Sequence, residues 1–329
     1  MKEPSGRDVS EFRDAVCAAE RVLVAPHLHP DGDAIGAALA IQRGLEALGK
    51  QVEVVCADPV PANLRFLPGW QSIRAPEEST MVPDLGILVD LNVMSRLGRA
   101  QSLFDRAPRI AIVDHHEIIE ESAQGVSLVW PDYSATCLVL YEVMSQLGME
   151  ISPEIAQCLL AGIATDTGRF RFRNTDPYSL RAAADLVERG GDLTQINEEV
   201  WEKKPLPAVL LLGRALMNLK TDFDGAIAYS YLTEEDFAAA DAIEEHNEGI
   251  VNEIGRVETA CISALFREPK PNKVRVSVRS RGDIDVAEVC SKFGGGGHKN
   301  AAGCTFDTSV HEAIEAMLPP LREAISKSQ

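Results

Sequence analysis

The sequence predicts an α/β protein in two domains: an N-terminal, mostly parallel sheet flanked by helices, then a smaller α/β domain with a mixed sheet. Three observations carry this. The 329 residues suffice for about two domains of ordinary size. In the first half, short apolar runs alternate with stretches of helical periodicity, which implies parallel crossovers and a sheet covered on both faces. After about residue 190 the pattern changes to longer strands with helices between them. A composition of 45% hydrophobic and 25% charged residues excludes a disordered or fibrous chain.

The elements follow in order. Arg21-Val-Leu-Val-Ala25 is a short apolar strand stopped by Pro26, and Pro30-Asp-Gly-Asp33 is a turn. A helix is predicted from Ala34 to Leu48, with Ile35, Leu39, Leu45 and Leu48 along one side and Gly49 as its C-cap. Gln51 to Cys56, Asp84 to Leu91 and Arg109 to Val113 are further strands, and 134–200 reads as mostly helical. Residues 205–219 form an apolar connecting helix, so the boundary falls in 192–222. The domains are therefore expected at 1–195 and 223–329, with 196–222 as connector. In the second domain, strands are predicted at 226–232, 258–266 and 273–279, and helices near 234–256, 285–293 and 309–326.

Charge restricts the partners. With 32 Lys and Arg against 50 Asp and Glu, the formal net charge is −18. A chain this acidic is not expected to coat long nucleic acid, which needs a basic surface. Phosphates would have to be handled at a local site, by metal ions or a small basic patch. No apolar run approaches the ~18 residues of a membrane span. The start, Met-Lys-Glu-Pro-Ser-Gly-Arg-Asp, lacks the apolar core of a secretion signal, so a cytoplasmic location is expected. The seven cysteines contain no C-x-x-C pair and read as free thiols, several of them buried, rather than as disulfides or a zinc site.

Four polar clusters follow apolar runs or sit in glycine-marked turns. They are His27-Leu-His29-Pro-Asp31-Gly-Asp33, Asp90 after Leu85–Val89, Asp114-His115-His116 after Ile110–Val113, and Thr165-Asp166-Thr167-Gly168 after Leu159–Ala164. Groups at the carboxyl ends of parallel strands converge on one crevice. Taken singly, each has a plainer explanation: a turn with Asp33 capping the next helix, a surface carboxylate, a helix cap. Together they bring at least four aspartates and two or more histidines to one place. Four carboxylates cannot all stay ionised without counter-charge, and two divalent cations would supply it. Imidazole and carboxylate donors suit Mn²⁺, and also Fe, Co or Zn, and a pair of such ions is a standard arrangement for phosphoryl hydrolysis.

The ordered segments His27-x-x-x-Asp31-x-Asp33-Ala-Ile-Gly36, Asp90, Asp114-His115-His116 and Thr165-Asp-Thr-Gly168 resemble the four motifs of the DHH phosphoesterase superfamily. Phe293-Gly-Gly-Gly-Gly-His298-Lys-Asn-Ala-Ala-Gly303 resembles the signature of the DHH-associated C-terminal domain. The resemblance runs from about residue 27 to 303 and is greatest to the bifunctional oligoribonuclease and 3′-phosphoadenosine-5′-phosphate (pAp) phosphatase branch. It implies two Mn²⁺ ions, with Mg²⁺, Co²⁺ or Fe²⁺ as alternatives. His27 and Asp31 would hold one ion, Asp33, His115 and Asp166 the other, and Asp90 would bridge them. His116 would face the leaving group, Asp114 would orient the site, and Arg96 would help position phosphate. Ala37 and Leu91 depart from residues common in relatives but remove no ligand.

The resemblance also implies that Arg279, Ser280, Gly296, Gly297 and His298 bind the nucleotide or terminal phosphate across a cleft between the domains. Glycines there permit a backbone path closed to other residues, and exposed amides could cradle phosphate. The plainer alternative is a strand–helix turn. The segment Arg267 to Arg281 carries six basic residues against one glutamate, with Arg275, Arg279 and Arg281 alternating onto one strand face. A solvated strand edge is the plainer explanation of that charge. Gly44-Leu-Glu-Ala-Leu-Gly49-Lys50 fits a phosphate-loop pattern, but Gln51 replaces the required Ser or Thr and the segment ends a helix instead of opening one.

The expected activity is hydrolysis of very short oligoribonucleotides to 5′-mononucleotides and of pAp to AMP. The substrates would be short RNA or nucleotide bisphosphates, with no long nucleic acid and no membrane; a homodimer is compatible with this reading. A hydrolase specific for the linear dinucleotides pApA or pGpG is the nearest alternative. A nucleotide sensor without turnover is the alternative from another class, and loss of a ligand would mark it; every matched ligand is present.

Overall fold

The computed structural model describes residues 9–119 and 121–328; the first eight residues, from which a missing secretion signal was read, lie outside them. The chain divides into two compact units, one running to Lys203 and the other starting at Lys204.

The first unit comprises α1 (Ser10–Ala18), β1 (Arg21–Ala25), α2 (Gly32–Ala47), β2 (Gln51–Val54), β3 (Leu85–Val89), α3 (Gln101–Phe104), β4 (Ile110–Asp114) and β5 (Val126–Val129). The helices α4 (Thr136–Gln146), α5 (Pro153–Asp166), α6 (Pro177–Glu188) and α7 (Leu193–Asn197) follow. All five strands are parallel, in the order β2-β1-β3-β4-β5. The order reverses between β1 and β3, and that is where an open α/β sheet leaves a crevice beyond its strand ends.

Strand alternation builds the two layers. Val22 and Val24 of β1, Leu85, Ile87 and Val89 of β3, and Ala111 and Val113 of β4 face the large core shared with α2, α4 and α5. Leu23, Ala25, Leu88 and Ile112 face a smaller core with Leu97, Leu103 and Phe104. The helices α2 and α5 approach closely through glycines. A Cβ on Gly36 would lie 2.5 Å from the Cys158 carbonyl oxygen, and one on Gly162 would lie 2.5 Å from Asp33 Oδ1.

The second unit runs α8 (Leu206–Met217), β6 (Lys220–Asp222), β7 (Ile227–Leu232), α9 (Glu234–Ala239), α10 (Ile250–Ile254), β8 (Ile262–Lys270) and β9 (Lys273–Ser280). It ends with α11 (Val286–Ser291), β10 (Gly296–His298), β11 (Ala301–Phe306) and α12 (Val310–Ser328). Its sheet, β10-β11-β9-β8-β7-β6, is mixed, with only β7 and β8 parallel. One face packs on α11 and α12 through Val274, Val276, Val278, Met317 and Leu321. Leu211 and Ala215 of α8 pack with Leu232 and Leu265 in a separate core.

Several expectations need correction. The helix predicted from Ala34 starts at Gly32, and Asp31, not Asp33, caps it, accepting the N–H groups of Asp33 and Ala34 at 3.1 Å each. Residues 234–256 hold two short α-helices with a 3-10 turn at Glu244–Asn247 between them, and Asp241 and Gly249 adopt left-handed backbone at the breaks. The stretch 196–222, read as a connector, is divided between the units, with α8 packed in the second. The glycine run starts in a turn at Gly294, and its last two members, Gly296 and Gly297, lie on the edge strand β10. A Cβ on Gly295 would lie 2.1 Å from the Gly303 carbonyl oxygen, so the close pairing with β11 itself demands glycine.

Other readings stand. All seven cysteines are free; five are buried, Cys261 is half-buried and Cys17 exposed. Gly49 ends α2 at φ 78°, and Lys50 donates to the carbonyls of Ala19 and Cys17 rather than serving a phosphate loop.

Candidate metal centre

Each polar cluster reaches the switch point by its own local route. His27 follows β1 and is buried; its Nδ1–H donates to the Leu28 carbonyl at 2.6 Å, which leaves Nε2 as the free acceptor. That Nε2 lies 3.3 Å from Asp90 Oδ2 and 4.0 Å from Asp31 Oδ1. Asp90 follows β3 with a left-handed φ of 61°, a strained backbone for a non-glycine residue. His115 follows β4 and donates from Nδ1 to the Tyr133 carbonyl at 3.2 Å. Its Nε2 lies 3.1 Å from Asp166, 3.7 Å from Asp90 and 4.0 Å from Asp33.

Asp33 is fully buried, and the start of α4 holds it. The N–H groups of Thr136 and Cys137 donate to its two oxygens at 2.6 and 2.9 Å. These are first-turn amides without intrahelical partners, so a helix N-terminus is aimed at the carboxylate. The Thr136 hydroxyl donates to Asp90 Oδ1 at 2.9 Å, so one residue fixes two carboxylates. Sequence reasoning missed Thr136; backbone donors leave no side-chain signature, and a threonine opening a helix is commonplace.

His27, Asp31 and Asp90 bring donor atoms within 4.8 Å of one another, and so do Asp33, His115 and Asp166; Asp90, His115 and His116 form a third such group. The electrostatics favour a cation. Burial, then the neighbouring carboxylates, push Asp33 up to about 7 and push Asp90 well above the usual carboxylate range. Burial alone would lower His115; its hydrogen bond to Asp166 and the charges of Asp33 and Asp90 outweigh that and push it up to about 10. Carboxylates that take up protons for want of counter-charge, with imidazole nitrogens turned toward them, are a donor set that fits divalent ions.

Asp114 is buried, and its Oδ1 accepts from the backbone N–H groups of His115 and His116 and from His116 Nδ1 at 2.8 Å. His116 stays about half exposed, with Nε2 free of that bond. His29, left out of the expected ligands, is exposed beside Asp58. Arg96 is exposed and makes no side-chain hydrogen bond or ion pair among the described residues; its carbonyl accepts the Leu28 N–H at 2.8 Å.

In the second unit, His298 pairs with Ala301, Ala301 with Arg279, and Arg279 with Ser263, so these residues share one level and one face of the sheet. A cavity of about 160 Å³ is lined by Arg279, Ser280, Ser263 and Asn252 among others. The Ser280 hydroxyl donates to the Ile284 carbonyl and accepts from Asn300, so it is engaged within the chain. Gly296 and Gly297, expected to bind substrate, lie on β10 and pair with Gly303 and Ala302 of β11. Four of the six basic residues have partners within the chain: Arg275 pairs with Glu244 at 2.6 Å, Arg267 donates to Asn247 and Ser277, Arg279 donates to the Val278 carbonyl at 3.0 Å and Arg281 to the Gly255 carbonyl.

A switch-point cluster of aspartates and histidines in two triads, with His27, Asp33 and Asp90 buried, defines a divalent-metal phosphohydrolase. The comparisons agree: the chain belongs to the DHH family. Residues 21–163 match the DHH family N-terminal domain and residues 224–327 the DHHA1 domain. The chain is 34% identical over 309 residues to the bifunctional oligoribonuclease and PAP phosphatase NrnA of Thermus thermophilus, covering 93% of this chain and 91% of that protein. The protein of the same name from Bacillus subtilis is 24% identical, with 90% and 92% covered. Among solved structures, an exopolyphosphatase-related protein from Bacteroides fragilis is similar, with a TM-score of 0.86, 26% identity and 96% and 95% covered. No described helix is long and apolar enough to cross a membrane.

Proposed function

We propose that this chain is a phosphoesterase that hydrolyses very short oligoribonucleotides to 5′-mononucleotides and converts pAp to AMP, using two divalent ions, preferably Mn²⁺, in the cytoplasm. The observation that carries it is the pair of triads, each one histidine and two aspartates, at the sheet's switch point. His27, Asp31 and Asp90 would hold one ion, and Asp33, His115 and Asp166 the other, with Asp90 shared. Such ions supply charge neutralisation and Lewis acidity for attack of water on phosphorus.

The chain's own residues do the rest. His27 and His115 keep their Nε2 atoms turned inward because their Nδ1–H groups are held by carbonyls. Thr136 and Cys137 fix Asp33, and Thr136 fixes Asp90, so the carboxylates need not reorganise during the reaction. Asp114 locks the ring of His116 through Nδ1, and His116 presents Nε2 to deliver a proton to the leaving oxygen. Arg279 and His298, with the Gly296–Gly297 backbone, would bind the terminal phosphate or nucleotide, and Arg96 would approach phosphate when substrate is present. A homodimer is compatible with this reading.

The test is product chromatography. Protein loaded with Mn²⁺ is incubated with pApA, pAp and a long single-stranded RNA, beside a chelator control. AMP from the first two, with the long RNA spared and the chelator blocking both, is the expected result. No metal-dependent product from any substrate would overturn the proposal.

A further inference from the structure

Directly after Asp166 the chain reads Thr167-Gly-Arg-Phe-Arg-Phe-Arg-Asn174, three arginines interleaved with two phenylalanines in a protein of net charge −18. The backbone here is unusual. Gly168, Arg169 and Phe170 are consecutive left-handed residues, with φ of 54°, 62° and 61°. Such strain persists only where the surroundings impose it, and it concentrates at functional sites.

The turn sorts the side chains into two sets. Arg169 is drawn inward, 4.7 Å over the Trp201 ring, and Phe170 packs on the main core. Arg171, Phe172, Arg173 and Asn174 are all exposed. The exposed set is nevertheless fixed to the metal centre's own frame. The N–H groups of Arg171 and Phe172 both donate to the Thr167 carbonyl, at 2.9 and 3.0 Å. Asn174 Nδ2 donates to the carbonyls of Asp166 and Ser134. Arg171 Nε donates to the Gly168 carbonyl at 3.0 Å. The Phe172 ring lies against Gly168, where a Cβ would sit 2.4 Å from its Cζ, and the residue remains 55% exposed. No carboxylate pairs with Arg171 or Arg173 among the described residues.

We propose that Phe172 is the base-recognition element of the catalytic unit: its open ring face stacks on a nucleobase, and Arg171 and Arg173 meet the phosphate of that nucleotide. Stacking on an aromatic ring is tolerant of base identity, and flanking guanidinium groups add charge to the backbone phosphate. This element would select nucleotides over other phosphate esters while accepting any short sequence. The inference rests on the nucleotide-hydrolase reading given above.

The test compares AMP with ribose 5-phosphate, which keeps the sugar and phosphate and lacks the base. Calorimetric binding is measured for the full chain and for Phe172→Ala and Phe172→Trp, with circular dichroism as the check on folding. The parent chain is expected to bind AMP about tenfold more tightly than ribose 5-phosphate. Phe172→Ala should lose that preference while its affinity for ribose 5-phosphate is unchanged, and Phe172→Trp should keep it. A preference that survives in Phe172→Ala, or no preference in the parent chain, overturns the inference. Turnover of pApA by the parent chain reports separately on the hydrolase reading, so the two can fail independently.

Discussion

The two units treat charge in opposite ways. In the first, the decisive polar groups are aspartates and histidines at the ends of β1, β3, β4 and α5; Asp33 and Asp90 are buried and accept from Thr136 and Cys137 or from Thr136 alone, and His27 and His115 donate to backbone carbonyls. In the second, the proposed ones are Arg279, half-buried, and His298, exposed, beside arginines already paired with Glu244 and Asn247. Burial raises the electrostatic stakes of each group, and that suits groups that must hold metal ions without moving. Partly exposed side chains suit binding, where a contact has only to be made and released. On the proposed function, bond breaking would belong to the first unit and recognition of the substrate's end to the second.

The largest break in that comparison comes from Asp90→Ala. Asp90 belongs to two of the three donor groups, so its loss should lower kcat by more than about 100-fold, beyond what losing an outer partner costs. Near-parental turnover of pApA would remove the basis of the paired-metal assignment. Thr136→Val comes next. It deletes the hydroxyl held on Asp90 and keeps the backbone donor to Asp33, so metal affinity should fall about 10- to 100-fold. A Mn²⁺ titration followed by activity reads this directly, and an unchanged midpoint would show that Asp90 needs no such support.

Most of the metal centre is legible in the sequence because polar residues that close apolar strands have few structural reasons to be there. His27, Asp90 and Asp114-His115-His116 share that pattern. Asp166 was legible both as a motif and in its context, since it closes an apolar run inside the stretch 134–200 that reads as mostly helical. The structure resolves it as α5, whose Gly162 makes room for Asp33. Thr136 was invisible because its contribution runs through an amide and an ordinary hydroxyl. The edge strand at Gly296–His298 was hidden for a related reason: three residues with two glycines carry no alternation to read. The α8 helix shows the same limit at the domain scale, since its apolar face is equally a linker's or a core's.

The effect on the second unit should be smaller and of a different kind. Arg279→Ala or His298→Ala should raise KM about tenfold with kcat little changed, as for the loss of a charged hydrogen bond made equally before and during reaction. A fall in kcat at constant KM would instead assign these residues to the chemical step and erase the division between the units.

The smallest effect tests the physical cause of the difference inside one strand. Asp84 precedes β3 and Asp90 follows it, yet their carboxyls shift in opposite directions. Asp90 is pushed up by burial and neighbouring carboxylates, whereas Asp84 is drawn down to about 2 by hydrogen bonds from the Arg21 side chain and backbone. A carboxyl whose pKa is lower in the folded chain contributes stability that is present above its unfolded value near 3.8 and is lost as pH falls toward about 2. Asp84→Asn should therefore lower the urea midpoint slightly at pH 7, and the gap to the parent chain should close between about pH 4 and pH 2. Because the pair is solvent-screened, added salt should narrow the gap at neutral pH as well. A gap that persists unchanged at pH 2 would mean that the carboxylate's charge is not what joins the starts of β1 and β3, and that the neutral hydrogen bonds from Arg21 suffice.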